Sequence, residues 1–120
     1  MSGWLPCDAT EWHGRPVARC VADAAVRRRA VLRGVVRSVG VCRPRPPAPL
    51  PSLAVEPFGC AFDAVIDDGT GTIALRWLGR VSIAGIEVGT TVEVEGTVSA
   101  HSHRLCILNP LYRFPNAVAS

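Results

Sequence analysis

The chain contains no lysine; all 13 of its basic residues are arginines. That absence excludes a phosphate-binding loop of the G-x-x-x-x-G-K-[ST] type, and with it a nucleotide-driven motor. No apolar run approaches the roughly 20 residues that a membrane-spanning helix requires. The N-terminus lacks the positive segment and long apolar core of a secretory signal, so we expect a cytoplasmic protein with no membrane partner. The five cysteines, Cys7, Cys20, Cys42, Cys60 and Cys106, are odd in number and irregularly spaced, the pattern of reduced thiols and not of a disulfide framework. Cys7, His13 and Cys20 do not have the short C-x-x-C or H-x-x-x-H spacings of zinc sites, and no cofactor is expected. Aromatic residues make up only 6% of the chain.

What is present is ordinary globular composition, 48% hydrophobic and 19% charged in 120 residues, enough for one domain with one modest core. The formal charge is +3. Residues 1–29 hold five arginines against three carboxylates, and residues 30–120 hold eight against seven. This balance permits a polyanionic partner without demanding one.

The most informative stretch is Phe58–Trp77, FGCAFDAVIDDGTGTIALRW. Two β-prone runs, Phe58–Ile66 and Thr72–Trp77, flank Asp67-Asp68-Gly69-Thr70-Gly71, a composition suited to the positive φ angles of tight hairpins. Before them, valine-rich Val31–Cys42 reads as a long strand, with Gly34 and Gly40 marking a bulge or bend. Thr91–Val98 alternates, placing Val92, Val94, Gly96 and Val98 inward and Thr91, Glu93, Glu95 and Thr97 outward. His101-Ser102-His103 turns into a last strand, Arg104–Leu108, after which Leu111–Phe114 trails along the surface.

Residues 43–57 contain six prolines and read as a semi-rigid polyproline loop, either a rigid insertion or a P-x-x-P ligand. Val17–Arg28 reads as a short helix, with Val17, Cys20, Val21 and Ala24 at helical spacing and Pro16 in its first turn. The resulting expectation is an all-β fold. It has an N-terminal helical arm (1–29), a five-stranded barrel of the oligonucleotide-binding (OB) type (30–114) and a short tail (115–120).

The segments VLRGVVRSV, FDAVIDDGTGTIALRWLGR, GIEVGTTVEVEGTV and LCILNPLYRF, in that order, resemble the OB-fold wedge domain of RecG-type branch-migrating helicases. LGRVSIAGI at Leu78–Ile86 is similar to small free-standing OB-fold nucleic-acid-binding proteins of high-GC bacteria. The resemblance covers about residues 30–114 and implies binding of single-stranded or branched DNA, with aromatic side chains stacking on bases. The chain has no motor, so the expected role is non-enzymatic binding.

Single-strand binding calls for cations along a groove and exposed rings. Arg33 and Arg37 share a face of the first strand; Arg76 points outward from the third and Arg80 follows it. With Arg43 and Arg45 they line one groove, or they belong to an ordinary solvated face. Trp77 shares its parity with Ile73 and Leu75, which argues for the core, and it stacks only if exposed. Tyr112 lies beyond Pro110, where packing over the barrel end competes with stacking. The Asp67-Asp68 pair suits a turn far better than a catalytic or metal site. The candidate nucleic-acid residues are therefore Arg33, Arg37, Arg76, Arg80, Trp77 and Tyr112. DNA is the favoured partner and RNA the other nucleic acid considered. The alternative function is a protein-interaction module using the barrel surface or the proline loop.

Overall fold

Long alternating segments that expose one face to water are stable only when the other face is covered, and here the sheet covers itself. The computed structural model describes residues 9–42 and 60–115. Its strands are β1 (Glu11–Trp12), β2 (Arg15–Pro16), β3 (Arg29–Cys42), β4 (Ala61–Asp67), β5 (Thr72–Leu78), β6 (Thr91–His101), β7 (Arg104–Leu108) and β8 (Leu111–Arg113). The main sheet runs β3-β4-β5-β7-β6-β8, and an additional β3–β6 pairing closes it into a ring. All neighbours are antiparallel except β5 and β7. The proline loop, Arg43, Arg45 and Phe58 lie outside the described residues.

Ring closure depends on β3 serving two partners. Its first half, Arg29–Val35, pairs with β6, and its second half, Val35–Cys42, pairs with β4. The register shifts between Val36 and Ser38, a bulge that bends the strand. Gly34 permits a close approach at the crossover: a Cβ there would lie 2.9 Å from the Asp67 carbonyl oxygen.

The interior follows the alternation. Leu32, Val36, Ala64, Ile66, Ile73, Leu75, Val92, Val94, Val98 and Ile107 are all essentially inaccessible, and each of the larger ones contributes about 1.5–3 kcal/mol by leaving water. At the Gly71 end of β5 the core is joined by Val21. At the Trp77 end it is joined by Tyr112 and Phe114, and Phe114 lies against Gly85. Ile83 and Ile86, from the link between β5 and β6, are also buried in this core.

The helix expected over Val17–Arg28 does not form; among the described residues this segment holds only a three-residue 3-10 turn, Val21–Asp23. The reason lies in β3. Its start is paired with β6 on one side, but β4 reaches only as far as Val35 on the other. Ala18 fills that open edge, its N–H donating to the Arg29 carbonyl at 3.0 Å and its carbonyl accepting from Val31 at 2.9 Å. Satisfying these backbone groups outweighs a weak helical periodicity. The turn itself is held by the β4–β5 connection. Asp68 Oδ2 accepts from the Val21 N–H at 2.7 Å, and Thr70 Oγ1 accepts from Ala22 at 3.0 Å.

Two further expectations are corrected. Glu93 and Glu95 point away from the interior of the ring as their parity requires, yet both are buried. β8 pairs with this part of β6, and Val17 packs on neighbouring Val31 with Trp12 against them. Leu111–Phe114 does not trail along the surface: Leu111–Arg113 is a strand, and Tyr112 and Phe114 pack on the core.

Candidate nucleic-acid interface

A guanidinium on a strand face binds phosphate best when it is exposed, and a carboxylate partner competes with the phosphate for its charge. Arg33 and Arg37 are both well exposed, with side chains 56% and 63% accessible. Arg33 faces β6, its Nη2 3.9 Å from Glu93, which also accepts a 2.6 Å hydrogen bond from Arg113 Nε. Arg37, at the bulge, places Nε 3.4 Å from Asp67. Arg76 is held by Asp63 on the adjacent strand. Those hydrogen bonds raise the Arg76 guanidinium above its ordinary value, against the opposing effect of burial, and the Asp63 charge adds to the rise. Arg80 is exposed beyond the end of β5, with no ion-pair partner among the described residues.

The structure therefore does not gather the four arginines into one row. Arg37 and Arg76 flank β4, tied to its outward aspartates Asp67 and Asp63. Arg33 belongs to the neighbouring β3–β6 surface and Arg80 to the link that follows β5. Between Arg37 and Arg76 the outer face carries short side chains, among them Ser38, Val65 and Ala74, with Gly40 across from Asp63.

The aromatic candidates lie elsewhere. Trp77 is 5% exposed and its Nε1 donates to the Pro110 carbonyl at 2.9 Å. Tyr112 is half-buried in edge-to-face contact with Trp77 at 5.8 Å and with Phe114 at 5.9 Å. These side chains pack on the core at the Trp77 end of β5, and the condition for Trp77 stacking on a base is not met.

Sequence reasoning missed a second basic feature, formed by the N-terminal segment. His13 and Gly14, both with positive φ (54° and 77°), make the two-residue turn of a β1–β2 hairpin in which Trp12 faces Arg15. Arg27 also adopts a left-handed conformation, φ 71°, and its N–H donates to the Val98 carbonyl at 2.7 Å. Arg29 places its guanidinium carbon 4.9 Å from the Trp12 ring centre. Its Nε and Nη2 donate to Glu95 Oε2 at 3.0 and 2.8 Å. Trp12, His13, Arg15, Arg27, Arg29 and Thr97 line a cleft of about 330 Å³. The W-H-G-R sequence was the available signal, since a glycine after a residue tolerant of positive φ marks a tight hairpin.

Among the described residues no group of three or more His, Cys, Asp or Glu side chains is placed to hold a metal ion, and no helix is long and apolar enough to cross a membrane. No protein-family model matches the chain, and no curated protein matches it. Among solved structures it is similar to a chain in a replication protein A heterotrimer bound to single-stranded DNA. The TM-score is 0.47 and the identity 21%, over 71% of this chain and 55% of that one. The match thus spans about half of that neighbour's length.

Proposed function

We propose that the ring of β3, β4, β5, β7 and β6 is an OB-type barrel that binds nucleic acid, single-stranded or branched DNA in particular, without catalysing a reaction. The strand order, with its one parallel pair and the β3–β6 closure, supports the barrel type. One observation carries the function: the guanidinium groups of exposed Arg37 and half-buried Arg76 flank a stretch of small side chains on the outer face of the second and third barrel strands. Oligonucleotides lie on that face in OB barrels. Arg33 and Arg80 extend the cationic margin. With Trp77 and Tyr112 committed to packing, phosphate contacts dominate, so binding is indifferent to sequence and steeply dependent on salt.

Fluorescence anisotropy of a labelled mixed-sequence strand of about 20 nucleotides, titrated at two salt concentrations, tests this. Two to four phosphate contacts correspond to a log–log salt slope of about −1.5 to −3. Absence of binding at low salt, or binding indifferent to salt, refutes it.

A second reading, a protein-interaction module, is favoured by a different observation. Leu78 and Leu108 are half exposed beside Arg76, and Val39 and Val41 are exposed on β3. Apolar side chains next to paired charges suit a protein partner. Charge reversal at Arg33 and Arg37 separates the readings: it abolishes oligonucleotide binding under the first and leaves partner capture intact under the second.

A further inference from the structure

We propose that the cleft between the β1–β2 hairpin and the start of β3 is a nucleotide-binding site, specific for a planar ring carrying a phosphate group. This site is separate from the outer face of β4 and β5, and the proposal does not depend on the function assigned to that face.

Three observations converge. The first is charge. Arg15, Arg27 and Arg29 all line the cleft, but only Arg29 is neutralised, by Glu95. Arg15 and Arg27 have no ion-pair partner among the described residues, so two guanidinium groups are left for an anion. Arginine's planar fork suits phosphate oxygens better than a point charge does. The second is the ring chemistry. Trp12 and His13 sit edge to face at 4.7 Å in the wall of the cleft. The Arg29 guanidinium is fixed over Trp12 by its two hydrogen bonds. Flat aromatic and guanidinium surfaces beside cations are what a nucleobase stacks on, and the Thr97 hydroxyl adds a donor and acceptor. The volume of about 330 Å³ matches the lower range of small-molecule sites.

The third is backbone geometry. His13 and Arg27, two of the six lining residues, hold positive φ. Each is set by a tight turn, His13 by the β1–β2 hairpin and Arg27 by the turn in which the Arg28 N–H donates to the Ala25 carbonyl at 3.1 Å, and these turns hold both side chains at the cleft. The chemistry is shared by a free nucleotide and by the phosphorylated end of a strand.

The test is a titration of the isotope-labelled full chain with thymidine 5′-monophosphate, following the Trp12 indole and Arg27 amide resonances. Inorganic phosphate and thymidine serve as controls. We expect saturable shifts at both groups, with each control about tenfold weaker or more. Arg15→Ala and Arg27→Gly should each weaken binding about tenfold. Arg27→Gly suits the left-handed backbone and so keeps the fold. Arg33→Glu with Arg37→Glu should leave the mononucleotide titration unchanged even where it abolishes binding of long strands, so the two sites fail independently. A 5′-phosphorylated oligothymidylate that outcompetes the mononucleotide assigns the site to strand ends; a weaker one assigns it to free nucleotide. No saturable shift up to about 10 mM, phosphate binding as well as the nucleotide, or unchanged affinity in both Arg15→Ala and Arg27→Gly overturns the proposal.

Discussion

Asp63 and Arg76 face each other across the β4–β5 ladder and share two hydrogen bonds, Nε to Oδ1 at 2.7 Å and Nη2 to Oδ2 at 2.9 Å. The aspartate orients the guanidinium on the outer face and at the same time competes with any phosphate for it. Asp63→Asn removes the competing charge while keeping an acceptor, so oligonucleotide affinity should rise about three- to tenfold at fixed low salt. Arg76→Ala should reduce it by a similar factor and make the salt slope about one contact shallower. Anisotropy titrations read both, and unchanged affinity in both variants would remove Arg76 from the interface.

Asp68 joins the hairpin turn to the N-terminal segment. Burial pushes its carboxyl up, but the hydrogen bonds it accepts from Thr70, Val21 and Gly71 prevail and hold it below its ordinary 3.8. A carboxyl depressed in the folded state stabilises the fold above its unfolded-state value and loses that contribution as pH falls through the folded one. Asp68→Ala should therefore cost about 1 kcal/mol at neutral pH, as loss of a capping side chain does. Its difference from the parent protein should shrink below about pH 4. Thermal denaturation between pH 2 and 7 checks the direction; a difference that widens on acidification contradicts the assignment.

The Arg29–Glu95 pair stands on a different footing, because Glu95 is fully buried and its Oε1 accepts no hydrogen bond among the described residues. Arg29→Met leaves a buried charge alone and should destabilise by about 3–5 kcal/mol. Replacing both partners, with Arg29→Met and Glu95→Leu, should recover most of that loss. Urea denaturation of the two variants measures it. A double variant as unstable as the single one would show that the pair does more than neutralise itself.

Gly34 offers a test of ring closure. In Gly34→Ala the new methyl meets the Asp67 backbone at 2.9 Å, and backbone cannot swing aside as a side chain can. A loss of about 1–3 kcal/mol is expected. Gly40→Ala, on the same strand with nothing within 4 Å of its Cβ position, should be close to neutral.

The strands of the main sheet were legible because their signals are local. Thr72–Leu78 and Arg104–Leu108 appear where alternation between turn residues places them, and β3 begins two residues before the expected Val31. The helix over Val17–Arg28 failed because the groups that hold Ala18 belong to Arg29 and Val31 in the extended strand, and a helical repeat carries no information about an open edge. Alternation fixed which way Glu93 and Glu95 point, but not that Arg113 and the N-terminal segment lie over them. Arg33, Arg37 and Arg80 were recognisable as exposed, yet the carboxylate partners of Arg33, Arg37 and Arg76 sit on other strands. The cleft drew on residues 12 to 97 and had no local signature beyond its tight turn.

The connection between β4 and β5 also sets an order of events in folding. Its internal hydrogen bonds span two or three residues, whereas those it makes to Val21 and Ala22 span 47 and 48. A hairpin closes in about microseconds, while contacts of large sequence separation wait on the entropy of a long loop. The turn is therefore in place before the N-terminal segment meets it. During synthesis, Val21 leaves the ribosome early and has no seat until Gly71 has followed. The Val21–Asp23 turn is therefore expected to settle late, on a template formed by a later part of the chain. A φ-value near zero for Val21→Ala, beside a higher one for Thr70→Ala, is the kinetic signature this order entails.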